Sequence, residues 1–259
     1  MSLSFIIPSY NEEKNIVKTV AEVVKSVELS TLKDYEILII NDASTDNTGE
    51  KVNKILNDYN NIKYINNKKN LGYGGSFKAA LLQASKKNII LVDGNNSYDA
   101  EEIAKLIREI GSADIISSCY SNPEFRPWYR TLLTNTNSLI LNFLFRLKLP
   151  YYNGNSIYKK SDLESIDFST NSHAFLPIIL IKLLKIKKLS IVFIPLKTKI
   201  NAGITSTFRP KNIFKILSSI SNTFLILNFK FVGIPLILIF LLILLMIVSG
   251  IDTGAIYNY

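Results

Sequence analysis

The sequence has 259 residues and a single cysteine, Cys119, which excludes an intrachain disulfide and favours a reducing compartment. Its formal charge of +9 is unevenly distributed, because residues 1–130 carry 16 basic and 17 acidic side chains whereas residues 131–259 carry 14 and 4. Since the basic half is also the more apolar half, and since the sequence shows no zinc spacing and no RNP-like segment, we expect a membrane surface and no nucleic acid as its partner.

Apolar runs and helical spacings alternate along the first 120 residues. The pattern predicts buried strands over 3–7, 35–40, 62–65, 88–92 and 114–118. It predicts helices over 12–29, 51–59, 76–87 and 99–110. Strands that alternate with helices of this length indicate an α/β fold with a doubly wound, mostly parallel sheet.

The second half contains three long apolar stretches. An apolar helix is predicted over about 131–149 and an amphipathic one over 210–229. Between Lys230 and Asp252 lie 21 residues without a charge, which is enough to span a hydrocarbon core of about 30 Å. Basic residues precede this stretch, so the positive-inside rule predicts that the N-terminal domain faces the cytoplasm. A buried core helix is the alternative.

Four polar clusters follow the predicted strand ends: Pro8–Glu12, Asn41–Asp46, Asn66–Gly75 and Asp93–Asp99. The carboxyl ends of parallel strands share one edge of a sheet, where ligands of such folds bind. The clusters therefore predict one site built from four loops. Taken singly, each has a plainer interpretation, such as a helix cap, a turn or a flexible surface loop.

Two of these clusters suggest specific chemistry. The glycines and lysines of residues 68–75 resemble an anion-binding loop at a helix N-terminus. Asp93 and Asn95 place a carboxylate and a carboxamide two residues apart, and both groups can bind one hard cation. A cation there would neutralise a diphosphate leaving group. Asp99 is expected to cap the next helix, with Glu102 at the capping-box position.

In chain order the loops contain the motifs PSYNE, NDASTD, KNLGYGG and VDGNNSYD. This series resembles family-2 glycosyltransferases of the GT-A fold, whose pattern is approximately P-[ST]-[YF]-N-E, D-D-G-S-x-D, N-x-G-x-G and D-x-D. The subgroup that it most resembles transfers a sugar to a polyprenyl phosphate, as dolichyl-phosphate mannose synthases do. The resemblance is close over about residues 3–120 and looser to about residue 207.

The resemblance implies a membrane-bound domain organisation. It predicts a GT-A catalytic domain followed by amphipathic interface helices and one C-terminal transmembrane helix, with the catalytic domain in the cytoplasm and a single membrane pass. The expected segments are a GT-A domain over 1–207 with an interface helix at about 131–149, an amphipathic interface helix over 208–229, a transmembrane helix over 230–251 and a short tail over 252–259. Assembly as a homo-oligomer is left open.

The resemblance also assigns roles to residues. Asp93 and Asn95 would be the catalytic pair and would hold Mg²⁺ or Mn²⁺ together with the donor diphosphate. The nucleotide would be bound by Pro8, Tyr10, Glu12, Asp42, Lys69 and Gly72. Apart from the resemblance, basic side chains are the candidates for contacting the acceptor phosphate: Arg126, Arg130, His173 and Lys199.

The chain departs from the family pattern at several positions. Asn41 replaces the first Asp of D-D, and Asn95 replaces the second Asp of D-x-D, which removes one charge from the metal site. The segment over 150–158 keeps a glycine and a tyrosine but lacks the Asp and Arg usual in the subgroup. No carboxylate stands near His173 to act as a base, and this histidine is either a phosphate contact, a general base or a polar residue at a helix start.

These features favour an inverting enzyme that moves a sugar from a UDP- or GDP-sugar to a polyprenyl phosphate at the cytoplasmic membrane face. A phosphate acceptor is largely ionised at neutral pH and needs little help from a base, whereas a hydroxyl acceptor would need one. The alternatives are a glycosyltransferase that acts on a glycan or lipid hydroxyl, and a non-catalytic scaffold that binds a nucleotide-sugar.

Overall fold

The structure, a computed structural model, describes residues 1–122, 128–168, 174–199 and 210–228. The chain divides into two compact units, Met1–Ser219 and Ile220–Tyr259. The first unit contains all the strands of the sheet and most of the helices. In the second unit, the described residues are the last part of one helix.

The first unit is built on a seven-stranded sheet with the order β3-β2-β1-β4-β6-β5-β7. The strands are β1 (Ser2–Ser9), β2 (Asp34–Asn41), β3 (Ile62–Asn66), β4 (Asn88–Leu91), β5 (Ile115–Tyr120), β6 (Ser156–Lys159) and β7 (Ile191–Leu196). Strand β6 is antiparallel to its neighbours β4 and β5, and the other strand pairs are parallel. The predicted mostly parallel α/β sheet is thus confirmed.

Helices connect most of these strands. They are α1 (Ile16–Ser30), α2 (Thr48–Ile55), α3 (Gly72–Gln83), α4 (Ala100–Arg108), α5 (Trp128–Phe145), α6 (Lys160–Glu164), α7 (Phe175–Lys182) and α8 (Pro210–Asn228). A short 3₁₀ turn follows α2, and a π-helical turn follows α7. Over the first 120 residues, the order of strands and helices is the one that the sequence predicts.

The central strand β1 explains why its sequence is an unbroken apolar run. Leu3, Phe5 and Ile7 are fully buried in the core that they share with α1 and α4. Ile6 points to the opposite face and is fully buried as well. A strand that is covered by helices on both faces needs no alternation of polar and apolar residues, as is usual for parallel sheets.

Helix α3 begins earlier than predicted, at Gly72 and not near residue 76. The carboxylate of Asp42, at the end of β2, accepts hydrogen bonds from the backbone N–H groups of Leu71 (2.8 Å) and Gly72 (2.9 Å). These contacts satisfy donors that a helix start leaves unpaired, so the helix forms in spite of the low helix propensity of its glycines. The cap comes from another strand, and local sequence does not show it.

Asp99 is the N-cap residue of α4, as predicted, but the side-chain hydrogen bonds of the predicted capping box are not formed. The Asp99 side chain makes no capping hydrogen bond, and the N–H of Ala100 donates instead to Glu22 on α1 (2.8 Å). The Glu102 carboxylate accepts from the N–H of Lys197 (2.9 Å) and pairs with Lys105 (2.7 Å). The Glu102 side chain therefore connects α4 to the segment after β7. The N–H of Ala100 at the start of α4 is bound by Glu22 of the neighbouring helix α1.

Helix α5 ends at Phe145, four residues before the predicted end. Arg146 adopts a left-handed backbone conformation (φ 51°), which stops the helix. The Asn142 amide accepts from the N–H of Leu149 and donates to its carbonyl, both at 2.9 Å. These two bonds fold the chain back directly after the helix. Strands β6 and β7, beyond it, were not predicted from the sequence.

Among the described residues, no helix combines the length and the apolar character needed to cross a membrane. The apolar segment over 230–251 lies outside the described residues.

Candidate functional site at the carboxyl edge of the sheet

The loops after β1 and β2 interlock through hydrogen bonds between side chains and backbone. The N–H of Asn11 donates to the Ser44 hydroxyl (3.0 Å), and the Asn11 side-chain carbonyl accepts from the N–H of Thr45 (2.8 Å). The N–H of Glu12 donates to the Thr48 hydroxyl (2.8 Å). Asn11 holds a left-handed backbone (φ 58°), which asparagine tolerates better than most residues. The loops after β1 and β2 are thus joined by hydrogen bonds and together form one side of the site, called the rim below.

Asp42 connects this rim to the glycine-rich loop. Besides the two backbone groups of α3, its carboxylate accepts from the Asn67 amide (2.9 Å), and its own N–H donates to the Ser9 carbonyl (2.9 Å). Asp42 is 4% exposed. Within the predicted anion-binding loop, the N–H groups of Leu71 and Gly72 therefore already bind a carboxylate of the chain itself.

The neighbouring Asn41 has a structural role. Its amide nitrogen donates to the Tyr64 hydroxyl (3.0 Å) and to the side-chain oxygen of Asn66 (3.1 Å), and its own side-chain oxygen accepts from the N–H of Ser44 (3.1 Å). An aspartate could not donate either of the first two bonds. The asparagine at this family position thus ties the end of β2 to the end of β3.

Asp93 follows β4 and receives a hydrogen bond from the Tyr73 hydroxyl, which reaches across from the first turn of α3. The Tyr73 ring packs edge-on against Phe175, at 5.2 Å between ring centroids. Burial and the Asp93 carboxylate both raise the pKa of Tyr73 well above 10, so the phenol keeps its proton. The two loops after β3 and β4 meet at this contact.

The loop after Asp93 is packed closely against the first loop. A Cβ atom on Gly94 would lie 2.9 Å from the Ser9 hydroxyl and 3.1 Å from the Pro8 carbonyl. The Gly94 carbonyl accepts from the Thr19 hydroxyl on α1 (2.9 Å). Asn95 accepts from the Ser97 hydroxyl through its side-chain oxygen. Glycine is needed here because the backbones of two site loops approach each other.

Acidic side chains are concentrated at this edge. Burial raises the pKa of Glu12 above its ordinary value, although a hydrogen bond from Asn15 opposes this, and the charges of Asp93 and Asp46 raise it further. The carboxylates of Asp93 and Asp46 therefore lie close enough to Glu12 to disfavour its ionisation. Asp46 itself differs, because burial raises its pKa but hydrogen bonds from Thr48 and from the N–H of Glu13 lower it overall. A partly buried carboxyl group with a raised pKa is a feature of many functional sites.

The oxygen donors at Asp93 suit a divalent cation. Within the described ranges, no three Asp, Glu, His or Cys side chains converge into a complete metal-binding group. Mg²⁺ is usually held by one or two carboxylates together with waters and substrate phosphates, so a complete protein cage is not required. The Asp93 carboxylate and the Asn95 amide oxygen are hard donors of this kind, and they would hold the cation.

The predicted nucleotide-binding residues surround this centre at different depths. Pro8 is buried at the end of β1, while Tyr10 is 49% exposed on the rim. Glu12 is half-buried beside Asp93, and Lys69 is exposed.

Of the four predicted acceptor contacts, the structure describes Lys199 and Arg130. Lys199 pairs with Glu22 (2.8 Å) and Asp99 (3.2 Å) and donates to the Asn96 side chain (2.9 Å) beneath the loop after β4. Arg130 lies half-buried on α5. Arg126 and His173 lie outside the described residues. The structure thus gives Lys199 a role in fixing a site loop.

The segment after α5 approaches the sheet very closely at Gly154. A Cβ atom there would lie 2.0 Å from the Ser118 carbonyl, so only glycine fits. The Tyr152 side chain is fully buried, and its hydroxyl donates to the Asn142 side chain (2.9 Å). Tyr151 packs on Tyr120 at 5.0 Å between ring centroids. These tyrosines are packing residues, and the glycine lets the segment insert before β6.

Sequence reasoning missed three residues that build the site. Tyr73 contacts Asp93, while Thr19 and Glu22 on α1 hold the loop after β4. An aromatic residue within the glycine-rich loop was the available signal for Tyr73. The two α1 residues look like ordinary surface positions of an amphipathic helix, so nothing local distinguished them.

A doubly wound sheet whose four carboxyl-end loops converge on acidic side chains defines an α/β protein with its site at that edge. The sequence model described as glycosyl transferase family 2 matches residues 4–167, which is more than half of the chain. The chain belongs to glycosyl transferase family 2.

Curated relatives include enzymes named for dolichyl phosphate. A dolichyl-phosphate beta-glucosyltransferase of Trichomonas vaginalis is 29% identical over 153 residues, covering 55% of this chain and 47% of that protein. A dolichol-phosphate mannosyltransferase of Pyrococcus furiosus is 28% identical over 229 residues, covering 85% and 63%. The chain therefore spans less than two thirds of the length of either relative.

Solved structures share the fold at low identity. Glucosyl-3-phosphoglycerate synthase from Mycobacterium tuberculosis, in complex with Mn²⁺, UDP and phosphoglyceric acid, has a TM-score of 0.66 and 14% identity, covering 86% of this chain and 78% of that one. A mannosyltransferase from Pyrobaculum calidifontis, in complex with GDP-Man and Mn²⁺, has a TM-score of 0.62 and 13% identity, covering 85% and 64%. These likenesses agree with the GT-A-like fold predicted from the motifs.

Proposed function

We propose that this protein is an inverting glycosyltransferase that moves a sugar from a UDP- or GDP-sugar to a polyprenyl phosphate at the cytoplasmic face of a membrane. The observation that carries the proposal is the position of Asp93 at the end of β4, held by Tyr73 and lying beside Glu12. Family membership and the names of the dolichyl-phosphate relatives support it.

The donor would lie across the carboxyl edge of the sheet. The nucleoside would contact the rim that carries Tyr10 and Glu12, and the diphosphate would lie near Asp93 and Asn95. A bound Mg²⁺ or Mn²⁺ would neutralise the charge of the departing diphosphate. The Mn²⁺ in the complexes of the two structural neighbours supports such a cation here.

The transfer needs one displacement. An oxygen of the acceptor phosphate forms a bond to the anomeric carbon, while the bond from that carbon to the diphosphate oxygen breaks and its electron pair leaves with the nucleoside diphosphate. No proton has to be removed, because the phosphate is ionised at neutral pH. The protein contributes positioning and a fixed electrostatic environment.

Helix α5 supports the membrane part of the proposal. Its residues Trp128, Leu132, Leu139 and Phe143 fall within about 60° of arc at 3.6 residues per turn, and these residues are 77%, 56%, 70% and 74% exposed. An exposed apolar stripe of this kind suits the interface of a lipid bilayer. The predicted transmembrane helix over 230–251 would hold the protein at the bilayer, where a lipid acceptor is found.

The proposal is tested by a transfer assay on the full chain in detergent. The protein is given UDP- and GDP-sugars, Mn²⁺ or Mg²⁺, and a short polyprenyl phosphate, and the glycolipid product is measured. We expect metal-dependent product with one donor class. Asp93→Ala should lower the rate about 1000-fold, because a charged group that acts at the departing diphosphate is lost.

Asp58→Ala is the matched control. It removes an exposed carboxylate from the turn after α2, away from the carboxyl edge, and should leave the rate unchanged. If product forms only with a glycan or lipid alcohol, the acceptor part of the proposal is wrong. Nucleotide binding without turnover of any donor, under all these conditions, would favour a non-catalytic scaffold.

A further inference from the structure

Tyr73 occupies a position between the two strand ends that carry the acidic side chains of the site. It lies in the first turn of α3, whose start is fixed by the Asp42 carboxylate, and its hydroxyl donates to Asp93 beyond the end of β4. The first turn of α3 thus connects the end of β2 to the end of β4. None of the motifs that predict the site singles out this tyrosine.

The Tyr73 ring is fixed by aromatic packing. Phe175, the first residue of α7, meets it edge-on at 5.2 Å between ring centroids, and Phe77 packs on Phe175 at 5.3 Å. Both phenylalanines are at most 1% exposed. Because the backbone turn and the ring are both held, the direction of the hydroxyl bond to Asp93 is fixed as well.

We propose that Tyr73 is a positioning residue that orients the Asp93 carboxylate for a divalent cation. A carboxylate that accepts a fixed hydrogen bond on one oxygen does not rotate freely, and it loses less conformational entropy when it binds a metal. This inference rests on the proposed function for its substrate, but the metal-binding step is measured separately.

A phenol suits this role better than a basic side chain would. It is a neutral donor, so it holds the carboxylate without neutralising its charge. That matters here because Asn95 stands where the family pattern has a second aspartate, and Asp93 supplies the only charge of this motif. A lysine or arginine in the same contact would compete with the cation for that charge.

The test is Mn²⁺ binding to the full-length Tyr73→Phe variant, measured by electron paramagnetic resonance in the presence of UDP and, separately, GDP. Removing the hydroxyl keeps the ring and its contact with Phe175. We expect the Mn²⁺ affinity to fall about 10-fold, as is typical when a partner of a metal ligand is removed. We also expect the transfer rate of the variant to recover as Mn²⁺ is raised to saturation, which a merely structural defect would not do.

Tyr35→Phe is the control, because Tyr35 lies at the amino end of β2 and packs edge-on against Phe5, away from the site. Equal Mn²⁺ affinity in wild type and Tyr73→Phe overturns the inference. So does an equal loss in both variants, or an absence of Mn²⁺ binding to the wild type with either nucleotide. If the affinity falls only in Tyr73→Phe while no donor gives a glycolipid, the proposed function fails and the positioning role stands.

Discussion

Two glutamates at opposite ends of neighbouring strands show how the amino and carboxyl edges of the sheet differ. Glu36 lies near the amino end of β2, where burial raises its pKa but hydrogen bonds from Lys63, Ser85 and Ser4 outweigh that effect and bring the pKa to about 2. Glu12 lies beyond the carboxyl end of β1, where burial and the charges of Asp93 and Asp46 raise its pKa.

The comparison distinguishes residues that stabilise the fold from residues that form the candidate site. At the amino edge, the Glu36 carboxylate is 6% exposed and is matched by donors of the chain itself, including a 2.7 Å contact with Lys63. At the carboxyl edge, burial and the charges of Asp93 and Asp46 disfavour the ionised form of Glu12, and perturbed groups of this kind are concentrated at functional sites. We therefore expect the amino edge to contribute mainly to stability and the carboxyl edge to contribute mainly to binding.

The largest expected effect on stability comes from removing the Glu36 carboxylate at the amino edge. Glu36→Ala should lower the free energy of unfolding by about 3 kcal/mol, because it leaves several buried donors without their charged acceptor. Urea denaturation measures this loss. The transfer rate of the variant under native conditions should remain near that of the wild type, whereas Asp93→Ala should show the reverse pattern. Loss of stability in Asp93→Ala, with none in Glu36→Ala, would contradict the division between the edges.

Glu36 also predicts how the stability of the protein depends on pH. The folded-state pKa of Glu36, about 2, lies below its ordinary value of 4.5, so its contribution is fully present above about pH 5 and is lost as the pH falls towards 2. Glu36→Gln does not titrate, so its urea midpoint should vary less between pH 5 and pH 3 than that of the wild type. Parallel curves for the two proteins would show that Glu36 is not the group responsible.

A second change sharpens the comparison by adding charge to the carboxyl edge. Asn95→Asp restores the second carboxylate of the family pattern and keeps the oxygen that accepts from Ser97. We expect Mn²⁺ affinity to rise about 10-fold, because the charge of the ligands tunes cation affinity. The metal-free protein should become slightly less stable, since another like charge joins Asp93 and Glu12. Titration calorimetry and thermal melting, with and without Mn²⁺, measure both effects, and Asn96→Asp serves as the neighbouring control.

The smallest expected effect comes from relieving the repulsion at Glu12. Glu12→Gln removes one of the three like charges, and at neutral pH it should raise the free energy of unfolding by about 0.5 kcal/mol, a small value because the group is only half-buried. Chemical denaturation at pH 7 and pH 4 checks this. Because the pKa of Glu12 is raised, the gain should shrink at the lower pH, where the wild-type carboxyl is protonated. A loss of stability at pH 7 would mean that the contact with Asn15 outweighs the repulsion.

The sequence by itself determined the order of strands and helices over the first 120 residues and the edge at which the polar loops meet. Apolar runs, helical spacing and strand-end clusters are local signals, and a parallel sheet necessarily gathers the carboxyl ends of its strands. It also carried the motif series that identifies the family. The sequence did not predict the start of α3, the end of α5 or the hydrogen-bond partner at the start of α4. These features depend in turn on Asp42, Asn142 and Glu22, and not on the adjacent residues expected from helix rules.

Only the tertiary structure decided which polar groups meet. Lys199 and Glu22 are 177 residues apart, Asp42 and Gly72 are 30 apart, and Tyr73 and Asp93 are 20 apart. A hydrogen bond depends on distances that the sheet register and helix packing set after the chain has folded, and a local pattern does not specify them. The sequence therefore indicated which side chains are suited to the site, and the tertiary structure determined the hydrogen-bond partner of each one.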